Sequence, residues 1–329
     1  MLGRIKPSVS ILCPSYNHQD YVSGFIDSVL AQTDKNWELI IVDDCSTDDN
    51  VARIMGCSDR RIRLFRHDFN RGINAAINTA FSHARSDIVC LMASDDMLAP
   101  DYVQTICETF AQHPDADVVY PALQCIKPSG QIIENEIWYQ LQRPQAVLLR
   151  DMFFIGNRIM SPGMAVRKSA FARIYPLEIP LSQYQDYKTH IRLLLHGKCV
   201  QLPRPLVLYR IPSKKSGISA TGARTSRQQN LEEGRLMDAF LDIKTVVQLH
   251  KIFGDLLAPY KEVLADDTIP FVLGHLALDC DSVYKRHWGY DQIANFISSP
   301  KNYERVNRMC GFCYRDFLAL ADRFDVKKS

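Results

Sequence analysis

Two adjacent carboxylates, Asp95 and Asp96, close the stretch Leu91-Met92-Ala93-Ser94-Asp95-Asp96. They follow an apolar run, Asp87 to Met92, whose length and lack of alternation predict a strand buried on both faces. Negative charge at the edge of a core calls for a counter-ion. Carboxylate oxygens suit Mg²⁺ or Mn²⁺, ions that sit between protein carboxylates and substrate phosphates. The ordinary alternative is that the pair caps a helix beginning near Met97-Leu98-Ala99-Pro100. A second acidic pair, Asp43-Asp44, closes the run Glu38 to Asp44. A carboxylate there can accept from a uracil or guanine N–H or from a ribose hydroxyl. It can equally serve a capping turn toward Asp48, with Ser46 or Thr47 as the N-cap.

The elements that must hold these pairs are legible as periodicity. Val9 to Cys13 reads as a first strand, broken by Pro14 and followed by Ser15-Tyr16-Asn17. Tyr21, Phe25 and Val29, with Val22, Ile26 and Leu30, give a helical apolar face. Ile62 to Phe65 is a third strand, and Asn70-Arg71-Gly72 opens a helix with Ile73, Ile77, Ala80, Phe81 and Ala84 on one face. Strands alternating with helices predict an α/β fold with a mostly parallel sheet flanked by helices. Ligands then bind at the carboxyl ends of its strands. Neither G-x-G-x-x-G after the first strand nor G-x-x-x-x-G-K-[ST] anywhere is present, so a metal at acidic strand ends is the economical way to neutralise a diphosphate.

The composition, 47% apolar and 23% charged over 329 residues, is that of an ordinary soluble protein with ample core. A net charge of +2 argues against nucleic acid as a partner. Ten cysteines without regular spacing read as reduced thiols of a cytoplasmic protein, and the pair Cys310 and Cys313 as structural. The stretch before Ser8 is too short for a signal peptide, and Ile269 to Leu278 too short to span a bilayer. The chain is therefore expected to be soluble or peripheral at the inner face of a membrane.

The succession P-S-Y-N, V-D-D-C-S-T-D-D, N-R-G-I-N-A-A-I-N and S-D-D resembles the inverting glycosyltransferase family 2, which has the GT-A fold. Met160 to Lys168 is similar to the acceptor-side segment of that family, Gln185-Asp186 stands where the family has Glu-Asp, and Leu208-Tyr209-Arg210 ends the pattern. The resemblance covers residues 8 to 212 and implies transfer of a sugar from a nucleotide-sugar donor to a hydroxyl of a glycan or lipid-linked acceptor. It implies Asp95 as main metal ligand, with Asp96 assisting the metal or orienting the reactants. Asp43 and Asp44 become nucleobase and ribose readers in a donor pocket lined by Pro14, Tyr16 and Asn17, with Ser94 and Asn78 also on the donor side. Ala93 occupies the family's usual first acidic position of D-x-D, and Ile77 a position where the family commonly carries an Arg.

Asp186 is then the general base. Near the start of a helix whose apolar line is Tyr184, Tyr187, Ile191 and Leu194, it falls off that line, and the helix dipole should favour its ionised form. An ionised carboxylate can take the acceptor's proton as its oxygen attacks the sugar from the opposite face. Ala93 and Gln185 keep a second reading in view, a non-catalytic nucleotide-sugar binder on the same fold.

From Arg204 to Arg227 six basic residues occur without an acidic one, interleaved with Ser, Gly and Thr. This reads as a mobile loop in which Arg210, Lys214 and Lys215 form a lid over the diphosphate. From about Gln228 the pattern is helical to Phe324. The expected domains are 1–215, with a donor half to about 120 and an acceptor half beyond, and a helical region 216–329. Docking on the core, homo-oligomer contact, and an acceptor or membrane surface are the roles open to those helices.

Overall fold

The computed structural model describes residues 8–211 and 222–324. In chain order the first elements are β1 (Val9–Ser15), α1 (Val22–Leu30), β2 (Trp37–Asp43), α2 (Asn50–Met55), β3 (Ile62–Arg66), α3 (Ile73–Ser82) and β4 (Ile88–Leu91). After them come β5 (Met97–Leu98), α4 (Tyr102–Gln112), β6 (Val118–Ile126), β7 (Ile132–Trp138), α5 (Gln145–Phe154) and β8 (Met164–Arg167). α6 (Lys168–Ala172), α7 (Gln185–His196) and β9 (Cys199–Arg210) complete the sheet region.

One sheet runs β3-β2-β1-β4-β8-β6-β9-β5, with β7 on β6. The β3-β2-β1-β4 half is parallel, as the βαβ rhythm requires. Beyond it β8 runs antiparallel to β4 and β6, and β9 returns parallel to β6. The arrangement is a mixed GT-A type sheet flanked by helices. β2 is buried along its whole length, and α1 turns Val22, Phe25, Ile26 and Val29 into the core, which explains the unbroken run in one and the helical spacing in the other.

Two glycines set turns. Gly72 takes φ +88° as the residue before α3. Gly163 takes φ +72°, and a Cβ there would stand 2.3 Å from Val207 Cγ2, so the turn before β8 admits only glycine. Tyr102 pins that turn, donating to the Gly163 carbonyl at 2.9 Å.

The chain divides into two compact units, Met1–Gln142 with Ile159–Thr225, and Arg143–Arg158 with Ser226–Ser329. The division falls at Thr225, where a boundary near 215 was expected, and α5, inserted between β7 and β8, belongs to the helical unit. That unit adds α8 (Ala223–Met237), α9 (Val246–Phe253), α10 (Ile269–Ala277), α11 (Val283–Ile297), α12 (Pro300–Cys310) and α13 (Tyr314–Ala319). Phe153 of α5 sits edge-on to Phe240 and Phe253, at 4.9 and 5.0 Å. Buried Lys285 donates to the carbonyls of Phe153 and Met152, at 2.7 and 3.3 Å, capping the end of α5 with a cation. Cys310 ends α12 and Cys313 precedes α13, so the C-x-x-C pair marks two helix ends. Among the described residues no helix is long and apolar enough to cross a membrane.

Candidate active site

The chain leaves β4 at Leu91 and presents Asp95 and Asp96 just before β5. Met97-Leu98 pairs with β9 instead of opening a helix, which removes the capping alternative for the acidic pair. The two carboxylates are held differently. Asp96 is buried, and its Oδ1 accepts from the Arg210 backbone N–H at 2.7 Å. Burial, and then the neighbouring Asp95 charge, push its carboxyl well above the usual range. Asp95 is half-buried, and among the described residues its carboxylate takes no hydrogen bond; only its backbone carbonyl is engaged, by Arg210 Nε at 2.6 Å.

Ser94 joins this turn to the neighbouring strand ends. Fully buried, its hydroxyl lies 2.7 Å from Ser15 Oγ and 2.8 Å from His18 Nδ1. Ser15 Oγ in turn accepts from Asn50 Nδ2 at 2.9 Å, and the same amide donates to Asp43 Oδ1 at 2.9 Å. One hydrogen-bond network therefore ties the carboxyl ends of β1, β2 and β4. Ser15, His18 and Asn50 escaped the sequence reading because nothing in their spacing sets them apart from loop residues.

Asp43 and Asp44 stand differently from expectation. Asp43 has no exposed surface; Oδ2 accepts from Ser46 N at 3.0 Å, and the Arg66 guanidinium lies 3.4 Å away. Asp44 is spent on the next loop, accepting from Arg71 N at 2.8 Å, Gly72 N at 2.7 Å and the His67 ring at 2.7 Å. Both acids are engaged by protein partners in this conformation. Ser46 caps no helix: its hydroxyl accepts from Asn17 N at 2.9 Å, and α2 begins later, at Asn50. Asn17, at φ +53°, accepts from Thr47 N at 2.8 Å. Pro14 is half-buried, and Tyr16 is left exposed at the end of β1.

Asn78 also departs from its expected donor role. Its amide is spent on the Leu177 backbone, and Asn74 Nδ2 donates to the carbonyls of Glu178 and Leu181 at 2.7 and 3.2 Å. α3 thus holds the segment that leads into α7, where Asp186 lies in the first turn. Asp186 Oδ1 accepts from Tyr187 N at 2.7 Å. Burial raises its carboxyl to about 6, outweighing the lowering by backbone N–H groups, contrary to the dipole-based expectation. His190, one turn on, is fully buried; its Nδ1 lies 3.1 Å from Tyr120 Oη, and burial lowers it to about 3.

Arg210 corrects the lid. It is buried, its Nη1 donates to the Lys127 and Pro128 carbonyls at 3.1 and 2.6 Å, and its guanidinium packs 4.8 Å over the Tyr21 ring. With Nε on the Asp95 carbonyl, the side chain clasps the acidic turn to the loop at Lys127 and Pro128. Arg204 likewise belongs to β9 and pairs with Asp101. Lys214 and Lys215 lie outside the described residues.

The residues present fit a hard divalent ion. Among the described residues no group of three or more acidic, His or Cys side chains gathers to cage one. An unpartnered Asp95 carboxylate beside Asp96 would offer such an ion two carboxylates, the kind of partial site that phosphates complete.

The family model described as Glycosyl transferase family 2 matches residues 10–175. The UDP-Glc:alpha-D-GlcNAc-diphosphoundecaprenol beta-1,3-glucosyltransferase WfgD of Escherichia coli is 40% identical over 89 residues, 27% of this chain and 35% of that protein. The chain thus matches about a third of the length of that relative. The structure of S. aureus TarS 1-349 superposes with a TM-score of 0.57 at 15% identity, covering 94% of this chain and 93% of that one. The mannosyltransferase PcManGT from Pyrobaculum calidifontis, in complex with GDP-Man and Mn²⁺, gives 0.54 at 17% identity, over 99% and 89%.

Proposed function

Since the chain belongs to glycosyl transferase family 2, and is therefore a transferase, we propose that it moves a sugar from a nucleoside-diphosphate donor to an acceptor hydroxyl with inversion, assisted by a divalent metal. The observation that carries this reading is the unpartnered Asp95 carboxylate beside buried Asp96 at the end of β4. Asp95, with Asp96 behind it, would hold Mn²⁺ or Mg²⁺; when bound, such an ion supplies positive charge against the leaving diphosphate. The Mn²⁺ complex of PcManGT supports that choice.

On the protein side, Pro14, Tyr16 and Asn17 line the donor pocket, Tyr16 offering its exposed ring to the base. Asp43, Asp44, Ser94 and Arg210 fix the loops around it. Asp186 takes the proton from the acceptor hydroxyl as that oxygen attacks the anomeric carbon. A base near 6 is ionised at neutral pH yet basic enough to accept the proton. Lys214 and Lys215 are the cations we assign to the diphosphate.

The acceptor is proposed to be a glycan or lipid-linked sugar, in keeping with the diphosphoundecaprenol-linked acceptor named for WfgD. A cytoplasmic setting, with peripheral contact at the inner membrane face, suits such an acceptor and the ten free thiols. The test is nucleotide release from a panel of UDP- and GDP-sugars with Mn²⁺, with and without lipid-linked saccharide. Release that depends on Asp95 and rises with acceptor is expected; binding without any turnover would reduce the protein to a nucleotide-sugar binder.

A further inference from the structure

The hairpin from β6 to β7 carries an aromatic residue that the reaction outlined above leaves unused. Trp138 closes β7 opposite Leu123 and is 38% exposed, a large apolar ring kept partly in water. Its indole N–H is spent on Glu136 Oε1 at 3.0 Å, which fixes the ring edge and leaves a face without polar demand. The ring lies 5.3 Å from that of Tyr209, at 41°.

Tyr209 links this ring to the acidic turn. It precedes Arg210, whose backbone N–H holds Asp96, and it pairs with Cys125 of β6. Burial raises its phenol to about 12, helped by the charges of Asp96 and Asp95. Leu123 of β6 pairs with both Trp138 of β7 and Val207 of β9, so the hairpin and the strand that carries Tyr209 flank the same stretch of β6. The hairpin is also braced. Buried Gln140 donates to the Pro121 and Met160 carbonyls, both at 3.0 Å, and accepts from Met160 N at 3.1 Å. The middle of β7 is polar, with Glu134, Asn135 and Glu136 exposed, as suits an edge strand. Of the strand's two exposed apolar residues, Ile132 and Trp138, the indole alone is aromatic.

A pyranose ring has an apolar C–H face and a rim of hydroxyls, the complement of an exposed indole flanked by carboxylates. We propose that Trp138 is a sugar-stacking platform for a pyranose of the acceptor, separated from the Asp95–Asp96 turn by Tyr209. The acceptor is the better occupant than the donor sugar, because Tyr209 stands between this ring and the carboxylates that face the diphosphate. The proposal rests on transfer being the activity of the site, and its test keeps the two apart. Full-length protein and its Trp138→Ala and Trp138→Phe variants are mixed with methyl β-glucoside, methyl N-acetyl-β-glucosaminide and cellobiose, and saturation transfer to ring C–H protons is read by NMR. In parallel, nucleotide release from UDP- and GDP-sugars gives the donor KM. Binding of a glycoside by the wild type and Trp138→Phe, weakened roughly 3- to 10-fold in Trp138→Ala, is the expected result. Equal binding by Trp138→Ala, or no glycoside bound by the wild type, overturns the platform. A raised donor KM with glycoside binding intact moves the platform to the donor and overturns the acceptor assignment. Should the wild type release no nucleotide, transfer itself is in question, while the NMR comparison still judges the platform.

Discussion

Asn78 grips Leu177 with both ends of its amide: Nδ2 donates to the Leu177 carbonyl at 2.9 Å, and Oδ1 accepts from the Leu177 N–H at 2.8 Å. The contact joins α3, whose start is held by Asp44, to the segment that delivers Asp186. A donor-side loop and the proposed base are thereby on one mechanical line. Replacing Asn78 by Ala should cost about 1–3 kcal/mol, two hydrogen bonds' worth, and raise hydrogen exchange in residues 177–181. Turnover should fall more than donor affinity. Unaltered exchange in that segment would show that the grip is not what orders it.

The pH dependence follows from Asp186. Its carboxyl sits near 6 in the folded chain, so the base is protonated below that pH. The rate should climb through about pH 6 and level off above it. Asp186→Asn should lower turnover by about 10²–10⁴ with donor affinity kept. The folded state also binds this proton more tightly than the unfolded chain, whose value is about 4. The residue's contribution to stability is therefore fully present below about 4 and lost as pH rises through about 6. Asp186→Asn should accordingly be more stable than wild type at pH 7 and lose that advantage at pH 4. Thermal unfolding at the two pH values checks the sign.

Asp95→Ala should abolish the Mn²⁺-dependent part of nucleoside-diphosphate affinity without harming the fold, since the Asp95 side chain takes no hydrogen bond among the described residues. Calorimetry with and without Mn²⁺ measures this. Affinity that responds to Mn²⁺ as in the wild type would exclude Asp95 from the metal site.

Gly274 and Gly289 let α10 and α11 touch through their backbones. A Cβ on Gly289 would stand 2.5 Å from the Gly274 carbonyl oxygen and 2.9 Å from Ala277 Cβ. Gly289→Ala should therefore destabilise the helical unit by about 1–3 kcal/mol. Denaturant unfolding followed by tryptophan fluorescence, with Trp288 in this unit, reports it; a variant as stable as wild type would mean the helices part at little cost.

Much of the sheet was readable because burial on both faces writes itself as unbroken apolar runs, as in Glu38 to Asp44. Asp95 and Asp96 stand out because they follow an apolar run, whereas Asp186, an ordinary acid for a helix start, is singled out by the family resemblance alone. What the sequence hid was the spending of polar side chains. Asn78, Asp43 and Arg210 have the right chemistry for a donor, yet their hydrogen bonds go to backbone and side-chain partners up to 115 positions away. The placement of α5 was hidden for the same reason, since its amphipathic pattern does not name the helices it packs with.

The clamp between Asp96 and Arg210 spans 114 positions of chain. Asp95 and Asp96 therefore leave the ribosome long before the strand that secures them, and local contacts alone cannot close their turn. Contacts of such separation form late and slowly. During synthesis the acidic turn faces water unclamped, and any segment ending before β9 lacks its brace. The nucleotide-binding competence of a nascent chain should thus appear as a step, once Arg210 has emerged, and not as a gradual gain with length.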